Sequence, residues 1–408
     1  MLQKNQNALN TWLVRLLIYA LLSFFALIML FPFIYMMSTS LKTSDDVFHY
    51  PPRVLPYSPE TTKYNDVQAP LYSFEINGEI RELVLTGEKE RFGVFTSEAL
   101  LNKDDPRKSQ IVFELPLEEA TESGEEFTFQ DSSGSEDSLP IYEVNGESLL
   151  LISTPNKDIF IDPDDPETVA YDFARQAKAA EKIEFQFDNY DTVLGLNLDR
   201  ALINTTIVTL GVTIGQLITS IFGGYAFSRI QFKGRDALFL GYLGSIMVPF
   251  VVLIIPIYRL MVVIGWEGRL VSLIVPWIFT AYGTFLIRQF FLTIPKEIEE
   301  AALLDGCSRF RILWAIFVPL STPAIATLGI FSFLYAWNSF LWPLLIIGEG
   351  NEPNHVLTLS LIRLSNIAAD RPNLVLTGAA VAIIPPILVF ILAQKYFIEG
   401  VTSSAIKG

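Results

Sequence analysis

Three glutamates (Glu297, Glu299, Glu300), a glycine at 306 and two arginines (Arg309, Arg311) fall within fifteen residues, between two long apolar runs. Charged groups at that density serve either acid–base chemistry or recognition of a polar partner. Nucleophilic chemistry needs a base beside the nucleophile. The stretch offers only Cys307, the single cysteine of the chain, with no histidine near it in sequence. Cys307 therefore reads as a small residue beside the glycine. Recognition fits better. Glu300-Ala301-Ala302 favours helix, Gly306 breaks it, and the helical pattern resumes from Phe310 until Pro319 stops it. Two short helices hinged at a glycine between apolar spans make a docking element.

Other chemistries find less support. No G-x-x-x-x-G-K-[ST] occurs, so nothing here cradles a nucleotide phosphate in the usual way. The acidic run Asp162–Asp165 lacks the glycine and glutamate spacing of a calcium loop and reads as a solvated acidic turn; no metal ligands are assigned. The middle of every apolar span is free of Asp, Glu, Lys and His, whereas an ion-coupled carrier needs such groups. What the spans do carry is neutral and polar. Asn204, Thr205, Thr206, Thr209, Thr213, Gln216 and Thr219 share one span and should face helices or water. Asn204, Gln216, Trp337 and Asn338 are candidate residues of a translocation path, where amides meet hydroxyls and an indole face packs on C–H groups. Trp342 reads equally as path or as interfacial anchor, and His355 as a solvated loop residue.

The elements that must position these residues are long and apolar. Hydrophobic residues make up 51% of the 408, and mean hydropathy is +0.39, which points to a membrane protein. Leu16 to Met37 runs 22 residues without a charge, about 33 Å as helix. That exceeds a signal-peptide core, so it reads as a retained anchor. Leu202–Phe227, Ala237–Tyr258, Leu270–Ile287, Ile312–Ile347 and Asn373–Ala393 follow, giving six expected spans, five of them with proline near or within. Lys and Arg near the span ends divide eleven to five in favour of both termini lying in the cytoplasm. The charged loop is then cytoplasmic and the segment between spans one and two extracytoplasmic.

That segment carries the acid. Lys42 to Asp199 holds 13 Lys/Arg and 34 Asp/Glu, a net −21 within a chain of net −15. Short alternating runs with Asn77-Gly78 and Asn145-Gly146 between them predict hairpins; Thr168–Ile183 has helix formers and is expected as one helix. The organisation expected is residues 1–44 with span one, 45–199 as an acidic β-rich insert, and 200–408 with spans two to six and the loop at 293–312. The fold class is an all-α polytopic membrane protein with an inserted β-rich domain.

Several stretches together resemble the permeases of bacterial ABC importers, in their carbohydrate-uptake, maltose-transporter branch. Glu300-Ala301-Ala302, Gly306, Ile316 and Val318-Pro319 match the spacing of that family's Glu-Ala-Ala loop, with Val for one Leu. Gly224-Tyr225-Ala226-Phe227-Ser228-Arg229 and Trp337-Asn338-Ser339-Phe340-Leu341-Trp342-Pro343 are similar to two further family stretches. The closing Gln394 to Gly408 resembles the family's tail, with Ser404 for a usual Gly.

The resemblance implies a permease subunit that is no enzyme itself and couples to ATPases through Glu300, Ala301, Ala302, Asp305, Gly306, Arg309 and Pro319. It implies a tail contact to the ATPases by Lys407 and Gly408. The implied partners are a second permease subunit in a heterodimer, two ABC ATPases that bind ATP and Mg, an extracytoplasmic solute-binding protein and membrane lipid, with no nucleic acid. The expected cargo is a sugar or related polyol, and the expected location the bacterial inner membrane. The inserted domain departs from the family pattern. Contact with the binding protein and passive decoration both remain open for it. A membrane-anchored enzyme built on the insert is the competing reading, and the insert shows no nucleophile–base pattern to support it.

Overall fold

The computed structural model describes residues 2–405. The chain divides into a helical unit, Met1–Pro56 with Phe185–Gly408, and a second unit, Tyr57–Glu184. Residues 45–56 and 185–199, expected within the insert, group with the helices.

Three helices of the first unit are long and apolar enough to cross a membrane by length and composition: Val14–Thr39 (span one), Asp188–Arg229 (span two) and Pro372–Lys395 (span six). Three bent pairs bring the count to six: Arg235–Met247 with Phe250–Val263 (span three), Val271–Trp277 with Ala281–Thr293 (span four), and Arg309–Leu320 with Thr322–Trp337 (span five). The bends are 98°, 42° and 81°. The sharpest falls at Pro249, which cannot donate to the preceding turn. Expected span five, Ile312–Ile347, is shorter than the sequence indicated. Asn338 caps the helix at Trp337 and Leu341–Ile346 is a separate short helix.

Spans two and four pack closely because one face of span two lacks bulk. Gly211, Gly215, Thr219 and Gly223 recur every four residues, the small-residue spacing that lets membrane helices approach. A Cβ on Gly215 would stand 2.4 Å from Ile278 Cγ2, and one on Gly224 2.7 Å from Ile287 Cγ2. Below this contact, Tyr225, Ile287, Phe291, Leu313 and Phe317 form a buried apolar cluster. A second cluster gathers Val208, Val212, Leu273, Trp342 and Ile346.

Span one is different, being exposed from Val14 to Ile34. Its end is held by amides from elsewhere in the helical unit. Asn189 Nδ2 donates to the carbonyls of Ser40 and Lys42, both at 2.9 Å, and Asn373 Nδ2 donates to Lys42 O at 3.1 Å. These side chains satisfy carbonyls that a terminating helix leaves without partners. Lys42 is buried beside Asp46. Burial lowers its pKa, against the opposing pull of the Asp46 carboxylate.

The second unit is antiparallel β. Its strands are β1 (Tyr57–Pro59), β2 (Thr61–Tyr64), β3 (Val67–Ile76), β4 (Glu79–Thr96), β5 (Phe113–Pro116), β6 (Thr121–Gln130), β7 (Glu136–Val144), β8 (Glu147–Ser153), β9 (Asn156–Ile161), β10 (Val169–Asp172) and β11 (Glu181–Ile183). A nine-stranded sheet runs β10-β9-β4-β8-β7-β6, with β3 and β5 also paired to β4 and β2 paired to β3; β1 pairs β11 apart from it. The 18-residue β4 organises the sheet, and its Leu83, Val84 and Phe95 are buried with Phe160 of β9.

Both expected hairpins form, with positive φ at Asn77 and Gly78 and at Asn145 and Gly146, as a type I′ turn requires. The helix expected over Thr168–Ile183 does not. That stretch gives β10, a turn and β11, because strand pairing with β9 and β1 overrides the local helical preference of its alanines. The acidic turn at Asp162–Asp165 is not merely solvated, since Arg81 Nη1 lies 3.3 Å from Asp162 and 3.5 Å from Asp165.

Candidate functional site

The charged loop is built from two helices at a fixed corner. Pro295 precedes Lys296–Leu304, with Glu297 and Glu299 in the first turn where the helix dipole favours acid. Gly306 ends it at φ +78°. Its N–H donates to Leu303 O and that of Cys307 to Ala302 O, both at 3.0 Å. This pair of bonds is a Schellman closure, and it requires the left-handed residue that glycine supplies. Ser308 then caps Arg309–Ile312, accepting from the Arg311 N–H at 3.3 Å.

One glutamate of the adjacent pair turns inward. Glu299 is buried while Glu300 is exposed, since neighbours on a helix point about 100° apart. The Tyr225 hydroxyl donates to Glu299 Oε1 at 3.2 Å, Arg229 Nη1 lies 3.6 Å from Oε2, and Arg309 Nη1 lies 3.6 Å from Oε1. Arg229 also donates to the carbonyls of Phe291 and Ile294, at the end of span four, and covers the Phe317 ring at 4.9 Å. Arg288 of span four reciprocates, donating to Phe227 O at 3.2 Å near the end of span two. Two arginines thus cross-cap two helix ends.

Of the expected coupling residues, Glu300, Ala301, Asp305, Gly306 and Pro319 are exposed, Ala302 is buried, and the Arg309 side chain is half exposed. Around the corner stand Leu304, 89% exposed, and Phe310, 63% exposed. The outer surface of the loop is therefore an apolar knob with acid beside it. Lys407 and Gly408 lie outside the described residues.

The expected path residues separate. Asn204 is buried and donates to Pro353 O at 3.1 Å and His355 O at 2.9 Å, so its amide pins a loop. Trp337 is also buried, donating to Ala382 O at 3.1 Å and stacking on Phe333. Asn338 is exposed but turned back onto Leu334 O. Trp342 is buried against Phe250 and Trp277 and donates to Ser272 O at 3.0 Å. His355 is likewise buried, with Nε2 3.2 Å from Gly348 O. Gln216 alone of the four lines an open cleft. It is held there by donation to Trp277 O at 2.8 Å and by acceptance from Ser332 at 2.6 Å. Tyr282, Tyr335, Phe331 and Thr280 share that cleft, and among the described residues no Asp, Glu, Lys, Arg or His lines it.

Sequence reasoning missed Glu299, Arg229 and Arg288 as structural partners and Tyr282 and Tyr335 as cleft residues. A signal for Glu299 was present: it lies three residues before Ala302, on the helix face that Ala302 buries.

Residues 211–403 match the family described as binding-protein-dependent transport system inner membrane component. The sn-glycerol-3-phosphate transport system permease protein UgpE of Agrobacterium fabrum is 34% identical over 226 residues, covering 55% of this chain and 80% of that protein. The arabinooligosaccharides transport system permease protein AraQ of Halalkalibacterium halodurans is 33% identical over 205 residues, covering 50% and 73%. This chain belongs to the binding-protein-dependent permease family. It is a multi-pass transport permease of the inner membrane and not an ATPase. A solved bacterial ABC transporter involved in import of the acidic polysaccharide alginate aligns at 24% identity with a TM-score of 0.46, over 53% of the permease and 81% of its own chain. The family match leaves the β unit, Tyr57–Glu184, outside it.

Proposed function

We propose that the permease is one membrane subunit of an ATP-driven importer of neutral sugars, oligosaccharides or related polyols. It works with a second permease subunit, two ATPases that hold ATP and Mg, and an extracytoplasmic solute-binding protein. Both termini and the loop at Lys296–Leu320 are cytoplasmic in this reading, and the β unit is extracytoplasmic. The observation that carries it is the exposed knob of Ala301, Leu304 and Phe310 around Gly306. In water such apolar groups favour burial in a complementary groove, and the permease has no nucleotide site of its own to supply the force.

The cleft supports a neutral cargo. Gln216, Ser332 and Thr280 offer hydrogen bonds, and Tyr282, Tyr335 and Phe331 offer ring faces. UgpE relatives act on a phosphate ester by name and AraQ on a neutral oligosaccharide. A cleft without a cation resembles the second requirement more than the first.

The test is co-purification of the detergent-extracted permease with its ATPases. Gly306→Val places a β-branched residue at φ +78°, and Leu304→Asp puts a charge on the knob. Both should abolish ATPase recovery, while Glu60→Gln in the β unit should not. Undiminished recovery with both loop variants would refute the docking assignment.

A further inference from the structure

The corner at Gly306 invites reading as a pivot, and its surroundings argue otherwise. Glu299 takes three partners from two sides. Tyr225 and Arg229 come from the end of span two, 3.2 Å and 3.6 Å away, and Arg309 reaches from beyond the corner at 3.6 Å. Arg229 is itself fixed by the Phe291 and Ile294 carbonyls and by the Phe317 ring. The Glu299 side chain is 10% exposed and that of Arg229 4%, so neither ion can be resolvated without opening the cluster. Across the corner, the Arg309 contact and the two Schellman bonds hold the second helix at its angle.

We propose that Glu299 is a positioning residue that locks the coupling loop to the end of span two, so that loop and span move as one body and Gly306 serves as a fixed corner. Glu299 does not touch an ATPase in this scheme; it acts through Arg229 and Arg309. A push on the knob then reaches span two through the carboxylate and span four through the carbonyls that Arg229 caps. This inference rests on the proposed docking to ATPases and concerns how that docking is transmitted.

The assay reads geometry within the assembled complex. In a Cys307→Ser background, spin labels are attached through Gln231→Cys, just past span two, and Glu297→Cys, on the first loop helix; both positions are exposed. Label separation is measured nucleotide-free and after trapping with ADP–vanadate. Locked, the two states give the same separation. With Glu299→Gln added, which keeps side-chain size and loses the charge, the separation should shift on trapping. A shift in the otherwise unsubstituted labelled protein, or no shift with Glu299→Gln, overturns the lock.

A second measurement needs no partner. Amide exchange at Gly306 and Cys307 in the permease alone should quicken by about tenfold in Glu299→Gln, as expected when local opening becomes easier; an unchanged rate also overturns the proposal. Arg309→Gln, which removes the contact across the corner, should also speed those two amides in the permease alone. If ATPases fail to co-purify with the unlabelled, unsubstituted permease, the docking reading falls, while the exchange rates still decide the lock.

Discussion

Arg229→Met offers a measurable test of how the span ends are held. The arginine side chain is 4% exposed and faces a glutamate that is 10% exposed. Removing one member of a buried ion pair costs about 3–5 kcal/mol, because the other charge remains desolvated. Two conditions modify that figure. The carbonyls of Phe291 and Ile294 lose a charged donor, adding about 1 kcal/mol for a weakened hydrogen-bond set. Arg309 still faces Glu299 at 3.6 Å, but a half-exposed pair returns less than about 1 kcal/mol. The net expectation is a loss of about 3–6 kcal/mol for Arg229→Met and less than about 1 kcal/mol for Arg309→Gln. Reversible unfolding of the permease in mixed micelles by SDS titration measures both. Adding Glu299→Gln to Arg229→Met should recover part of the loss, since no buried charge then lacks a partner. Equal costs for the two arginines, or a double variant weaker than the sum of its singles, would refute the electrostatic account.

Two further outcomes follow from the packing and the β unit. Gly215→Val should destabilise the permease by about 1–3 kcal/mol through overpacking, as its Cβ would meet Ile278 Cγ2 at 2.4 Å; Gly241→Ala, where nothing lies within 4 Å, should cost far less in the same titration. In the β unit, Asp131 is a turn carboxylate whose pKa is lowered, chiefly by the Ser133 side-chain hydrogen bond and then by the Ser135 N–H. A depressed carboxylate contributes stability above its ordinary value near 3.8 and loses it as pH falls through the folded pKa. Amide exchange at Ser133 and Ser135, corrected for its intrinsic pH dependence, should therefore show protection falling below that pH in the native permease, and no such step in Asp131→Asn.

Much of this fold was legible from the chain, for a physical reason. Apolar runs of bilayer length, a glycine closing a short helix and Asn-Gly between alternating strands are local signals, and spans one, two and six, the Gly306 corner and both hairpins formed where they were expected. Asn65-Asp66, both at positive φ, makes a third tight turn between β2 and β3 without any glycine to announce it. Less legible were features set by tertiary partners. Glu299 and Glu300 are identical in type, and only the packed face distinguishes them. Arg229 and Arg288 counted as topology signals, yet each donates to main-chain oxygen of the neighbouring span. Asn204 and Trp337 looked suited to cargo because they are polar or aromatic within apolar sequence; the same property makes them useful for tying loops and helices together.

The crossed arginines have a genetic consequence. Each anchors on peptide oxygens, which every codon encodes alike, so no compensating replacement elsewhere can rebuild a lost anchor. Suppressors of a defect at position 229 should consequently arise as reversion at that codon or as removal of the stranded acid at 299, and lineages should hold these arginines or discard the whole arrangement together.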